Sequence, residues 1–236
     1  TWGGPVTGPA GARVPGGSLA ISLHSPSPTP QLPLPPRSFS WLEDKVFDLL
    51  FRNARSQNGF SSDPVSDAKL KELYEIVKWA PTTMNIQPMR VVFVKSEAAK
   101  KKLEPALSPG NHDKTMAAPV CAIVAWDTHF YENLPRMFAH RPTAIDLFKG
   151  VEKADHAEKT AFRNASMQGG YFILAARAVG LDCGPMSGFD NAKVDDAFFT
   201  DGKWKSNFLC TLGKGDPSKV MGRLPRLTFD EACRIV

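Results

Sequence analysis

The chain has 236 residues, 42% of them hydrophobic and 22% charged, which is the composition of a globular protein with one compact domain. Its apolar runs fall well short of the roughly 20 residues that a helix needs to cross a bilayer, which excludes a transmembrane segment. The net charge of +5 comes from scattered basic residues. This scatter argues against a nucleic-acid-binding protein and is compatible with a small anionic ligand.

Residues 1–40 contain nine prolines and six glycines but no aspartate, glutamate or lysine. Such a composition cannot form a packed core, so we predict a disordered tail here and a single folded domain over residues 41–236. Because the first methionine is Met84, we expect the tail to be added or upstream sequence ahead of the domain. The absence of acidic residues makes a transit peptide the alternative interpretation.

Apolar residues at helical spacing predict two helices before Pro81. The first lies within residues 41–56, and the second begins at an N-cap formed by Ser66 or Asp67. The buried positions are predicted to be Val46, Leu49 and Leu50 in the first helix and Leu70, Leu73, Tyr74 and Val77 in the second.

Three short apolar runs, bounded by proline, aspartate or glycine, predict buried strands at residues 89–95, 119–127 and 207–213. A long helix is predicted between the last two strands, with Gly180 as its C-terminal stop. Helices separated by buried strands are typical of an α+β domain or a three-layer α/β domain.

The long helix is apolar on almost every side, and Phe162, Met167 and Tyr171 contribute to this character. An all-round apolar helix is normally buried, so we expect it in the centre of the core. A face buried at a subunit interface is the second interpretation.

The cysteines and histidines show no spacing typical of a metal site, so we expect no protein-bound metal. We predict that all four cysteines are reduced and structural, in a reducing compartment such as the cytoplasm. No glycine-rich dinucleotide fingerprint is present, because Ser218 stands where "LGKGDPS" would need its last glycine. No hydrolase motif is present either. The cysteines are Cys121, Cys183, Cys210 and Cys233.

Three stretches are more polar or more glycine-rich than a simple turn requires. "RNARSQNGF" (residues 52–60) offers arginines, a hydroxyl and amides suited to a phosphate or a sugar. "WAPTTMNIQPMRVVFV" (79–94) presents amides and hydroxyls between two stiffening prolines. "GLDCGPMSGFD" (180–190) lets backbone N–H groups approach a flat ligand. The alternatives are a solvated helix end, a helix C-cap with a strand lead-in, and a tight loop.

These stretches, together with "GRLPRLTFDEA" (222–232), occur in the order and spacing of the nitroreductase-like flavoproteins. Residues 42–236 resemble that family, in particular its malonic semialdehyde reductases of pyrimidine degradation. The resemblance implies an α+β sandwich with a central, mostly antiparallel sheet flanked by helices. It also implies an FMN-dependent homodimer whose two active sites are each built from both chains.

The resemblance places the flavin phosphate and ribityl chain at Arg55 and Ser56, with Asn58 where many members carry a basic residue. Two adjacent arginines are common in the family, whereas this chain has Ala54 before Arg55, which leaves the phosphate register open by one residue. The resemblance also implies Arg223 as a C-terminal phosphate ligand. The alternative to Arg223 is Arg226.

The flavin ring is implied to lie between two further groups. The partner subunit would contribute Asn85, with Thr83 and Gln87 as further contacts. The loop over the ring would consist of Pro185, Met186, Ser187 and Gly188, with a backbone N–H near Ser187 or Gly188 facing flavin N5.

The implied activity is hydride transfer from NADH or NADPH through FMN, with ping-pong kinetics, to malonic semialdehyde, which becomes 3-hydroxypropionate. Candidate cations for the carboxylate of this acceptor are Arg90, Arg163 and Lys214. The alternatives are a broad nitro- or quinone-reducing enzyme and a flavin-binding protein without turnover.

Overall fold

The computed structural model describes residues 43–236, so the disorder predicted for residues 1–40 lies outside the described residues. The strands are β1 Met89–Val94, β2 Val120–Asp127, β3 Asp182–Met186 and β4 Trp204–Gly213. They form one sheet in the order β1-β2-β4-β3, with every neighbouring pair antiparallel. The three predicted strands and the α+β class with an antiparallel sheet are therefore confirmed.

Helices pack on both faces of this sheet. The α-helices are α1 Asp44–Phe47, α2 Asp67–Val77, α3 Glu97–Leu103, α4 Pro109–Ala117, α5 Leu134–Met137, α6 Ala154–Ala178, α7 Asn191–Phe198 and α8 Phe229–Ala232. Among residues 43–236, none is long and apolar enough to cross a membrane.

Both predicted N-terminal helices are present, with differences in their buried faces. The first continues from α1 as a π-helical turn, Asp48–Arg52. The prediction of a buried face is wrong for this helix, because Val46 and Leu50 are only half-buried and Leu49 is exposed. In α2 the Ser66 hydroxyl caps the helix by accepting from the Lys69 N–H at 3.1 Å. The prediction that Tyr74 is buried is wrong, because that side chain is 51% exposed.

The two cores lie on opposite faces of the sheet, and β2 contributes to both. Ala122 and Val124 pack in the larger core with α2 and α6, whereas Ile123 and Ala125 pack in the smaller core with α3 and α7. A strand that is buried on both faces needs apolar residues at every position. This requirement explains the continuous apolar run by which β2 was predicted.

Strand β3 corrects the prediction of a loop over residues 180–190. Residues 182–186 instead pair with the end of β4, in a register that sets Pro185 opposite Cys210. Proline has no N–H to donate and is tolerated because β3 is at the edge of the sheet. Glycine and proline are depleted in strands, so the local sequence favoured a loop.

Helix α6 has one buried face of mostly small residues and ends just before Gly180, whose φ of 80° is left-handed, as predicted for a C-terminal stop. Outside that face, Phe162, Met167 and Tyr171 are each 47% exposed. The prediction that α6 is buried on every side is therefore wrong for a single chain. The second interpretation, that these side chains are buried at a subunit interface, stays a prediction.

The cysteines divide into three buried thiols and one exposed thiol. Cys121, Cys183 and Cys210 are buried and free, and Cys233 is exposed near the C-terminus. Burial raises the pKa of the Cys121 thiol to about 12, so this group stays protonated. The prediction that all four cysteines are structural is wrong for Cys233.

We expect one rapidly reacting thiol, Cys233, in the native protein, because the thiolate is the reactive form and the other three side chains are inaccessible. A colorimetric thiol reagent should report one fast equivalent in buffer and four after denaturation. In Cys233→Ser the fast equivalent should disappear. A fast equivalent that survives in this variant would show that one of the strand thiols is accessible.

Candidate functional site

The turn that carries Arg55 and Ser56 lies along the open edge of β3. Ser56 forms a parallel bridge with Cys183, and the Gln57 N–H donates to the Cys183 carbonyl at 3.0 Å. A Cβ added to Gly184 would stand 2.6 Å from the Gln57 carbonyl oxygen, so glycine is needed for this close approach. The fold thus brings the "RNARSQNGF" and "GLDCGPMSGFD" stretches together.

The buried Gln57 side chain links this turn to β3, and the sequence analysis did not single it out. It is buried, and its Nε2 donates to Asp182 Oδ1 at 3.4 Å. The other carboxylate oxygen of Asp182 accepts from the Gly215 N–H at 2.8 Å. Gln57 Oε1 is buried and has no donor among residues 43–236. A glutamine buried between the exposed Ser56 and the half-buried Asn58 gave no local signal in the sequence.

Arg55 and Arg223 link the turn to the C-terminal segment. The Arg55 guanidinium donates to the Met221 carbonyl, and the Arg223 guanidinium donates to the carbonyls of Arg52 and, at 3.5 Å, Ala54. Within the described range, no carboxylate forms an ion pair with either arginine. Two guanidinium groups on these two adjoining segments, with no carboxylate partner among the described residues, are suited to a phosphate dianion.

Arg226 is not brought to the turn. Its guanidinium donates to the carbonyls of its own neighbours Leu224 and Pro225, each at 3.0 Å. Of the two C-terminal candidates, Arg223 therefore has the geometry for the predicted role.

The loop after β3 is held by helix α4. The Asn111 side-chain amide donates to the Gly188 carbonyl at 2.8 Å, and the Ser108 N–H donates to the same oxygen at 3.3 Å. Ser187 is exposed beside this contact, and Asn58 is half-buried in the neighbouring turn. Asn111 is a further polar side chain at this site that the sequence analysis did not single out.

A second group of candidates lies in the loop before β1 and has unusual backbone geometry. Met84, Asn85 and Gln87 have left-handed φ values of 47°, 53° and 42°. Such conformations cost on the order of 1–3 kcal/mol each outside glycine, and persist only when the surroundings fix them. Strained loops of this kind are concentrated at functional sites.

Two buried amides of α6 fix this loop. Asn164 Oδ1 accepts from the Thr83 N–H at 2.9 Å, and Gln168 Oε1 accepts from the Met89 N–H at 3.0 Å. Both side chains are only 3% exposed and stand one helical turn apart. Polar residues four positions apart on the buried face of an apolar helix were the signal that could have identified them.

The loop side chains contact one another and the segment that follows β2. Asn85 Nδ2 donates to the Met137 carbonyl at 3.0 Å, and Gln87 Nε2 donates to Asn85 Oδ1 at 2.8 Å. The Gln87 N–H donates to the Thr82 hydroxyl at 3.2 Å. The amides are therefore preorganised rather than freely rotating.

The two groups of candidates stand at opposite edges of the sheet. The left-handed loop leads into β1, whereas the arginine turn and the Gly188 loop adjoin β3. Three inter-strand spacings of about 4.8 Å separate the edge strands by roughly 14 Å. One chain by itself therefore does not bring the two groups together.

Two of the three predicted substrate cations already have partners. Arg90 pairs with Asp127 at 2.5 Å, and Lys214 lies 3.5 Å from Asp63 in an exposed pair. Arg163 is exposed on α6 and forms no ion pair within residues 43–236.

Residues 51–214 match the model of the nitroreductase family. This chain belongs to the nitroreductase family. A relative from Cupriavidus pinatubonensis, provisionally named an NADH dehydrogenase/NAD(P)H nitroreductase, is 56% identical over 81% of this chain and 98% of its own. The resemblance found in the sequence is thus confirmed at the level of the family, and the match covers nearly the whole length of this relative.

Solved structures agree with this fold. A nitroreductase-type protein from Bacillus subtilis superposes with a TM-score of 0.74 at 24% identity, over 82% of this chain and all of the other. A second, from Exiguobacterium sibiricum and in complex with FMN, gives a TM-score of 0.71 at 17% identity, over 81% of this chain and 97% of the other.

Proposed function

We propose that two copies of this chain bind FMN at sites shared between them and transfer a hydride from NADH or NADPH to a small acceptor. The observation that carries this proposal is the separation of two preorganised polar groups at opposite edges of one sheet. A second copy placed against the first can bring the β1-edge loop of one chain to the β3-edge turn of the other.

The residues at these edges fit the chemistry of FMN. Arg55 and Arg223 would hold the phosphate dianion, and the Ser56 hydroxyl would hold the ribityl chain. Asn85 and Gln87 of the second copy would offer both donors and acceptors to the ring edge. When bound, FMN supplies a ring that takes up a hydride at N5 and delivers it to an acceptor.

The exposed apolar surface supports the second copy. Met167 and Tyr171 form a half-exposed stripe on α6, one helical turn apart, and Phe162 is half-exposed on the opposite flank of the helix. The C-terminal segment after Val220 exposes further large apolar side chains. Apolar surface of this extent on a folded chain is typical of a protein–protein contact. The C-terminal side chains concerned are Met221, Leu224, Leu227 and Phe229.

The proposed acceptor is malonic semialdehyde, which gains a hydride and a proton to become 3-hydroxypropionate. The sequence motifs that resemble malonic semialdehyde reductases support this choice, and Arg163 is the remaining candidate for the acceptor carboxylate that forms no ion pair among residues 43–236. The names of the relatives favour a second candidate, a broad nitroreductase. A site whose cation binds the acceptor carboxylate should strongly prefer malonic semialdehyde to a neutral acceptor, because a neutral acceptor leaves that cation unpaired.

The purified protein tests the proposal directly. We expect a yellow protein that releases FMN on denaturation and whose visible absorbance is bleached by NADH or NADPH without oxygen. A higher kcat/KM for malonic semialdehyde than for a nitroaromatic would support the first acceptor, and the reverse order would support the nitroreductase. A yellow protein that neither nucleotide bleaches would be a flavin-binding protein without turnover. A colourless protein that takes up no FMN would refute the proposal.

A further inference from the structure

Arg90 is the second residue of β1, three positions after the last left-handed residue of the preceding loop. Its Nη1 donates to the carbonyls of Gln87 and Met89, each at 2.9 Å. Its Nη2 donates to Asp127 Oδ2 at 2.5 Å. One planar guanidinium thus fixes the end of the strained loop, the start of β1 and the end of β2 together.

Asp127 is itself held in place from three sides. Its N–H donates to the Pro88 carbonyl at 2.9 Å, and its Oδ1 accepts from the His129 N–H at 2.8 Å. Asp127 and Arg90 side chains are only 12% and 24% exposed, and the Trp204 ring lies 6.0 Å from the guanidinium carbon. In such surroundings, removing one charge leaves the other uncompensated.

We infer that Arg90 is a positioning residue, which holds the 82–87 loop in its left-handed conformation so that Asn85 and Gln87 can contact the flavin. This inference rests on the proposed function for the flavin contact, whereas the hold on the loop is a property of the chain alone. Arg90 contacts the loop through the Gln87 carbonyl, which belongs to the last left-handed residue of the loop.

The hydrogen bonds of Arg90 argue against a role as a ligand of the acceptor carboxylate. Both Nη atoms already donate to oxygens of the protein, and the charge is neutralised by Asp127. An acceptor would have to displace a partly buried ion pair in order to reach this side chain. The two roles also predict different kinetics.

Arg90→Gln and Arg90→Lys test the role, with Lys95→Gln as the matched control. Lys95 follows the same strand and pairs with Asp67, and among the described residues it forms no hydrogen bond with the loop. Arg90→Lys keeps the charge and loses the fork that reaches two carbonyls and a carboxylate at once. It also provides a folded variant if Arg90→Gln does not fold.

Hydrogen exchange of the FMN-free protein gives a readout that does not depend on flavin. The N–H groups of Asn85, Ile86 and Gln87 are protected by hydrogen bonds inside the loop. We expect these amides to exchange at least about tenfold faster in both Arg90 variants. This is the loss of protection expected when one charge-assisted hydrogen bond to the loop is removed. In Lys95→Gln they should exchange as in the unmodified protein.

With FMN bound, the Arg90 variants should release it about tenfold faster, and the KM for malonic semialdehyde and for a neutral quinone should change in parallel. Unchanged exchange of the loop amides would overturn the inference. So would a KM that rises for the carboxylate acceptor alone. If the unmodified protein binds no FMN, the proposed function fails, and exchange in the FMN-free chain still decides whether Arg90 holds the loop.

Discussion

Replacing Arg55 or Arg223 with glutamine is expected to cause a large loss of FMN affinity. Each guanidinium is free of carboxylate partners within the described residues, so a phosphate would be its counter-charge. A charge-assisted hydrogen bond contributes about 1.5–3 kcal/mol, so the Kd for FMN should rise roughly 10- to 100-fold in each variant. Fluorescence titration of the FMN-free protein would measure the change.

Arg226→Gln is the matched control for this experiment. It removes the same charge from the same segment, but in the part of the chain that the structure describes Arg226 donates only to the carbonyls of Leu224 and Pro225. We expect little change in its FMN affinity. Full FMN retention in both Arg55→Gln and Arg223→Gln would contradict the assignment of the phosphate site. If FMN affinity falls in Arg226→Gln and not in Arg223→Gln, the C-terminal phosphate contact would be assigned to Arg226.

Placing a carboxylate on the exposed stripe of α6 is expected to separate the two copies and empty the flavin sites together. Met167→Glu would put a charge into a surface that the proposal buries, and an unpaired buried charge costs several kcal/mol. Because each proposed site is built from both chains, dissociation should remove FMN even though no proposed flavin contact is altered. Sedimentation velocity combined with absorbance at the flavin band would measure mass and FMN content at once.

Val151→Glu is the corresponding control, because that side chain is 93% exposed and precedes α6 outside the stripe. It should leave both mass and FMN content unchanged. A Met167→Glu protein that still sediments as a dimer with FMN would show that the α6 stripe is not the contact. An unmodified protein that holds FMN as a single chain would refute the shared site altogether.

Much of the fold could be predicted from the sequence because burial repeats with a local period. Helix α2 has its apolar residues at helical spacing behind a serine cap, and β2 is apolar at every position because both its faces are covered. The polar stretches around Arg55 and Asn85 also stood out, since a simple turn does not need so many hydrogen-bonding groups.

The sequence by itself thus determined the class of the fold, three of the four strands and the stretches that carry the candidate site. Tertiary structure alone decided that β3 is a strand, that Gln57 and Asn164 fix the two candidate loops, and that Arg90 is committed to Asp127. The reason is physical: periodicity records which side of an element is buried, whereas a hydrogen bond or an ion pair depends on where distant segments meet. Only the order of the strands places the two groups of candidate residues at opposite edges of one sheet.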